Sequence, residues 1–379
     1  MRECKVKVLD ILIYALYFSI FKAYFIPNTI RQILKLLIIL AVFCFLISKL
    51  PKKRLLNISI LFSACIIISG LVNYTGGSYT LKALLDSFLY SLCFYDLYTM
   101  IFYCYYKKQM PHLLRCLQNI TLIYCVLTFI SVLIVGVENN SNTSAYLFGN
   151  KFSSSYFFLL LIALFGATHN MKKRKYKCVY FGIEIFALWF SLHVMCVTTT
   201  VALVALVIIS LLPQHIRKIL INPKVVVVTL ISSAVILLFF ETLLHVAFIN
   251  NIVLNIFNKS YTIAGRLVIY NNYLLDMIRS KFLFGYGYSN GQLILLTGGV
   301  FSNAQNGLFE QFVNFGIVGI ASLIYTTYYC FKKPIRGEKT FYLSLIVDAM
   351  IIAAVVEVTL NWFFLLGLCL VRWSDYNNQ

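Results

Sequence analysis

Long apolar runs alternate along this chain with short polar breaks, and the length of the runs sets the first expectation. Residues 36–47 read LLIILAVFCFLI and residues 156–167 read YFFLLLIALFGA; with their flanks both reach the length of a bilayer crossing. A transmembrane barrel would instead show short segments of alternating hydrophobicity, which the sequence lacks. The pattern therefore predicts an all-α polytopic membrane protein, organised as a single integral membrane domain over residues 1–379.

Composition agrees with the pattern. Hydrophobic residues make up 61% of the chain and charged ones 12%, too little charge to cover a water-soluble surface. The net charge of +19 would suit a nucleic-acid partner if it were gathered on one face. Instead it falls into short clusters between apolar runs: Lys49–Arg54, Lys107–Arg115, Lys172–Lys177, Gln214–Lys218 and Lys332–Lys339. That is the distribution of cytoplasmic loops, so nucleic acid is excluded and the lipid bilayer is the implied surroundings. Each interval between clusters holds a pair of helices, as do the stretches before the first cluster and after the last, giving about twelve spans with both termini cytoplasmic. The first run follows Arg2, Lys5 and Lys7 without a small-residue cleavage site, and reads as a retained span. The eleven cysteines are scattered and form no CxxC or Cys/His cluster, so they read as small core residues without a disulfide or metal site.

The segments between the basic clusters differ in character. PNTIRQ, from Pro27, is a tight connection, whereas Glu138–Ser155 is longer and rich in Asn and Ser. The TTT of Thr198–Thr200 marks a sharp reversal between two spans. By far the longest segment is 250–306, inserted between spans 9 and 10 and well beyond an ordinary connection, which marks it as functional. Within it, residues 264–282 carry a helical pattern, with Leu267, Leu274 and Ile278 on one side and Asn272, Asp276 and Arg279 on the other. An amphipathic helix lying along the membrane surface is predicted there, ended by Gly285, Gly287 and Gly291. The LILLTGGVF that follows is too short to cross the bilayer.

Cations in these outer segments run against the charge bias. Lys151, Lys259, Arg266, Arg279 and Lys281 face only Glu138 and Asp276, with Glu310 near the start of the next span. Solvation accounts for Lys259 and Lys281. For Arg266 and Arg279 two readings stand: pairing of Arg279 with Asp276, or guanidinium contact with phosphate oxygens. Within the spans Asp86, Asp96, Glu184, Asp348 and Glu357 are functional suspects, and Glu241 with His245 suits a hydrogen-bonded pair. Tyrosines of the outer segment, among them Tyr270, Tyr273, Tyr286 and Tyr288, serve as interfacial anchors or as platforms for sugar rings.

Taken in order, Arg266, the amphipathic helix, FLFGYG (282–287) and NAQNGLFEQFVNFGIVG (303–319) resemble the superfamily of O-antigen ligases and Wzy-type polysaccharide polymerases. LFGNKFSSSYFFLLL resembles that family's "GNPN" approach to a mid-chain span, and CVTTTVALVALVII stands in the place of its "TGSRxALL" hairpin. The likeness covers roughly the second half of the chain. It departs where the family has His before Asn: Gln305 stands there, and an amide is no general base. The hairpin Arg is also missing, with Thr198–Thr200 in its place, and Lys281-Phe282 replace a common Pro-Leu.

The resemblance implies polymerisation of undecaprenyl-diphosphate-linked repeat units at the outer face of a bacterial cytoplasmic membrane. Capsule, exopolysaccharide or O-antigen would be the product, with a flippase and a chain-length regulator as partners. It implies no cofactor and no metal, the leaving diphosphate being stabilised by arginines. On that reading Arg266, Arg279 and Lys151 bind the diphosphate, and Tyr270 contacts substrate. Gln305 and Asn306 orient the acceptor, and Glu310 is the nearest carboxylate for the base. The alternative is a flippase or transporter of the same lipid-linked glycans.

Overall fold

The computed structural model describes residues 7–137, 146–238, 273–288, 303–332 and 337–375. Fifteen helices make up the regular structure among them. The first six are α1 (Val8–Ile20), α2 (Asn28–Lys49), α3 (Lys52–Leu55), α4 (Ser59–Val72), α5 (Ser78–Tyr106) and α6 (Met110–Val135). Next come α7 (Lys151–Thr168), α8 (Arg174–His193), α9 (Val197–Leu211), α10 (Gln214–Leu220) and α11 (Pro223–Leu238). The last four are α12 (Leu275–Ser280), α13 (Gly307–Lys332), α14 (Glu338–Ala354) and α15 (Trp362–Arg372). Their starts carry ordinary signals. The Asn150 side chain accepts from the Phe152 and Ser153 amides, Asn361 accepts from Phe363, and Pro223 opens α11.

Among the described residues four helices are long and apolar enough to cross a bilayer: α2, α6, α7 and α13; the pair α10–α11, bent by 63°, makes a fifth if it is one span. The predicted class is therefore met in its coarse form: the regular structure of the described residues is helical, with apolar helices of membrane-spanning character. Surface apolarity agrees, since Ile33, Leu37, Leu133 and Ile134 stay exposed on α2 and α6 where lipid would cover them.

The core is built around α7 and α14. Nearly every residue of both is buried, which requires a helix apolar all round. Gly166 lets them approach, because a Cβ there would lie 2.3 Å from the Tyr342 ring. Peripheral α2 buries only Ile39, Val42 and Leu46.

Contacts give the bundle two distinct ends. At one, Arg54 lies 3.7 Å over the Tyr106 ring, Arg217 4.8 Å over Phe341 and Arg372 4.0 Å over Tyr329. This is the basic end. At the other, the Tyr24 amide donates to the Leu147 carbonyl (2.8 Å), Asn73 Nδ2 to Gly285 O (2.9 Å) and Gln311 Nε2 to Leu360 O (3.1 Å).

One predicted turn is displaced. The reversal before α9 occurs over Val194–Cys196, where Met195 takes φ 53°, and Thr198–Thr200 form the first turn of α9. The Thr200 hydroxyl bonds back to the Cys196 carbonyl (3.1 Å) and meets Ser191 Oγ (2.9 Å), so a helix accommodates these residues.

Candidate functional site

The stretch Phe282–Gly287 and the first half of α13 form one unit. Residue Gly316 lies inside α13 with φ 64° and ψ −167°, which interrupts the helical ladder. The interruption frees the carbonyls of Val313 and Asn314 and the amides of Ile317 and Val318, normally i, i+4 partners of each other. All four are taken up by the turn. Tyr286 and Gly287 amides donate to Val313 O (2.8 Å) and Asn314 O (2.9 Å); Ile317 and Val318 donate to Phe282 O (2.8 Å) and Leu283 O (3.2 Å). The turn thus repairs the backbone that the break exposes, as apolar surroundings demand.

Two glycines make the approach possible. Gly285 has φ 63°, and a Cβ there would lie 2.5 Å from Val313 O; a Cβ on Gly316 would lie 2.4 Å from Leu283 O. From α4, Ser69 Oγ donates to Phe284 O (2.5 Å) and Asn73 Nδ2 to Gly285 O (2.9 Å), fixing the turn from its other side. Behind it, Leu274 and Met277 pack with Ala304 and Val313.

The start of α13 is equally determined. Gln305 takes φ 52°, and its amide donates to Asn303 Oδ1 (2.9 Å). Asn306 is fully buried: Oδ1 accepts from Leu308 and Phe309 (both 3.0 Å), and Nδ2 donates to Ser233 O and Val355 O (both 3.2 Å). These four bonds use the whole capacity of the amide and tie α11, α13 and the end of α14 together. Asn306 is therefore a joint of the scaffold. Glu310 Oε2 accepts from the Ala304 amide (2.8 Å) and Oε1 from Asn314 Nδ2 (3.2 Å), clasping the same turn. Glu357 lies within electrostatic reach of Glu310, of Tyr156 and of Cys196, which brings a second carboxylate to this end.

The remaining sequence candidates spread around this unit. Lys151 opens α7 and is 7% exposed. Arg279 is open to solvent and pairs with Asp276 at 3.8 Å, one turn back on α12. Arg266, Tyr270, Glu241 and His245 lie outside the described residues, as does much of segment 250–306.

Two clusters were not anticipated. Asp10, His112 and Cys116 meet near the basic end, with His112 Nε2 2.5 Å from Asp10 Oδ1 and 3.7 Å from Cys116 Sγ. This corrects the expectation that no Cys/His cluster exists: the one-turn spacing of His112 and Cys116 was the available signal, and the fold of α1 onto α6 supplies the third group. At the opposite end Lys22, Arg31 and Lys35 gather beside Tyr24 and Trp362. Arg31 and Lys35 are also one turn apart on α2, but which face they share is set by packing.

Comparison of the chain with protein-family models, with curated proteins and with solved structures finds no match.

Proposed function

We propose that the protein is a membrane glycosyltransferase that joins lipid-linked oligosaccharide repeat units, of the polymerase type its sequence resembles. On this reading about twelve helices cross a bacterial cytoplasmic membrane, the basic end faces the cytoplasm, and the end carrying the Phe282–Gly287 turn faces outward. The observation that carries the reading is the clasp between that turn and the broken α13. It holds irregular, polar backbone in a fixed position at one end of an apolar bundle, next to a left-handed Gln305. Rigidly placed segments of this kind, strained at a point, are where sites sit.

The chemistry is a substitution at the sugar carbon bonded to the lipid diphosphate. That carbon–oxygen bond breaks and one to an acceptor hydroxyl forms. The diphosphate leaves with its electron pair, and the hydroxyl proton passes to a carboxylate, for which Glu310 and Glu357 are the candidates. Arg266, Arg279 and Lys151 supply positive charge to the departing diphosphate, and Gln305 a hydrogen bond to the acceptor.

The test is extension of purified undecaprenyl-diphosphate-linked repeat units by the reconstituted protein in the presence of a chelator. Long chains are expected from wild type, with a loss of about 10²-fold or more for Arg279→Ala at unchanged melting temperature. Translocation of the lipid-linked unit across vesicles without extension would overturn the reading in favour of a flippase.

A further inference from the structure

Helix α2 presents a contradiction. Its buried stripe is Ile39, Val42 and Leu46, and continuing that stripe toward the end away from the basic clusters places Lys35 four residues before Ile39, and Arg31 four before that. Both side chains are partly buried, while their neighbours Ile33, Leu34, Leu36 and Leu37 are exposed and lipid-facing. A cation on the inward stripe of a spanning helix is costly and needs a reason.

No carboxylate among the described residues lies within ion-pair distance of Lys22, Arg31 or Lys35. Aromatic faces hold them instead: the Lys35 ammonium is 5.7 Å from the Trp362 ring centre and the Arg31 guanidinium 5.3 Å from that of Tyr24. Arg31 also gives one N–H to Asn28 Oδ1 (2.6 Å). Stacking uses the face of a guanidinium and leaves its other N–H edges free to donate. Loss of hydration, and then the charges of Arg31 and Lys35, lower the Lys22 ammonium from the ordinary lysine value, with Asp86 acting the other way. Lys22 itself is exposed just beyond α1, so the partly buried pair Arg31 and Lys35, one turn apart on α2, is the group whose like charge an anion would relieve.

The neighbourhood joins this pocket to the turn. Trp362 packs on Tyr90 (ring centres 4.5 Å apart), Tyr90 on Tyr288 (4.5 Å), and Tyr288 is stacked near Phe315 (6.2 Å), one residue from the break in α13. The Tyr24 amide meanwhile docks on Leu147, in the turn that leads to Lys151.

We propose that Lys22, Arg31 and Lys35 form an anion pocket that receives the phosphate group of a membrane-embedded lipid. Resting on the glycosyl-transfer reading, that lipid is the acceptor. A reaction between two lipid-linked glycans must hold two diphosphates at once, and a single cation group near the turn serves only the one that leaves. The three cations lie beside the exposed apolar row of α2, at the end where a diphosphate headgroup would lie on the proposed topology.

The experiment measures binding to the full-length protein in zwitterionic nanodiscs, with two probes: undecaprenyl diphosphate without sugar, and phosphatidylglycerol. Undecaprenyl diphosphate is expected to bind wild type at two sites, the leaving-diphosphate site and this one, and the Arg31→Gln/Lys35→Gln double variant to lose at least tenfold in affinity at one of the two. The charge-keeping Lys35→Arg and Lys53→Gln, exposed at the opposite, basic end, are expected to bind as wild type does, which separates charge from fold. Equal loss of phosphatidylglycerol binding would keep the phosphate pocket but overturn the acceptor assignment. Unchanged binding of both probes by a folded double variant would overturn the pocket itself. If wild type fails to extend glycans while the double variant still loses binding, the glycosyl-transfer reading falls and the pocket stands.

Discussion

Glu310 is both a clasp and a candidate base, and the two roles separate experimentally. A glutamine at 310 can still accept from the Ala304 amide, and the Asn314 amide can turn to accept from it, so the clasp survives. A glutamine cannot take a proton. If Glu310 is the base, Glu310→Gln should lower the turnover of glycan extension by about 10²–10⁴-fold with the melting temperature within a degree or two of wild type. Retained turnover in that variant would assign the base elsewhere, Glu357 first. Gln305 allows a second residue-level test, because a left-handed non-glycine costs roughly 1–2 kcal/mol. Gln305→Gly should therefore raise stability by up to about that amount in chemical denaturation while removing the amide from the site. At this scale the sequence was legible for residue type more than for residue role. Asn306 reads as a ligand-facing amide, but beside its local bonds to Leu308 and Phe309 it holds Ser233 and Val355, which come from elements far away in sequence. Lys35 is not legible as a site residue from the sequence, because its face is defined only by which of its neighbours, Ile39 and Val42, are buried.

Among elements, the turn and the broken helix stand or fall together. Gly285→Ala and Gly316→Ala each put a Cβ within 2.5 Å of a carbonyl on the other partner and force a left-handed alanine. Each should destabilise by more than about 2 kcal/mol, or prevent folding, and the double variant should cost less than the sum because one clasp is lost either way. Asn73→Ala removes the α4 bonds to Gly285 O and Ser69 O and should cost about 1–2 kcal/mol, with faster proteolysis in the turn as the readout. Normal protease resistance in that variant would mean that Asn73 does not hold the turn and would leave that role to Ser69. The glycines themselves were legible as a backbone reversal. Their partner was not, because main-chain bonds between Phe282–Gly287 and Val313–Val318 leave no trace in side-chain pattern. Likewise Thr198–Thr200 read as a turn by composition, whereas Met195 makes it.

At the scale of the whole molecule the open question is how many helices cross. Among the described residues, four helices, or five with the bent pair, have the length and apolarity to do so alone. Helices such as α1, α4 and α15 have 13, 14 and 11 residues. At about 1.5 Å per residue, 11 residues span roughly 16 Å, about half of a bilayer core of about 30 Å. They cross only if packed non-helical segments complete the path, as Val355–Asn361 would before α15; there Thr359 Oγ1 bonds to Met350 O (2.6 Å) and the Leu360 carbonyl accepts from Gln311 Nε2 (3.1 Å). Irregular backbone satisfied by protein in this way is tolerated at membrane depth. The proposed twelve crossings consequently predict a definite labelling pattern. In a variant lacking native cysteines, Arg279→Cys and Lys281→Cys, both exposed, should react with a membrane-impermeant maleimide on intact cells. Lys53→Cys and Lys108→Cys, exposed at the basic end, should react only after permeabilisation. Labelling of both sets from the same side would break the crossing count, since the pair Lys53 and Arg279 is separated by an odd number of proposed spans. It would also remove the membrane boundary at which the Lys22–Arg31–Lys35 pocket was placed, and with it the route by which a lipid-linked acceptor reaches the turn.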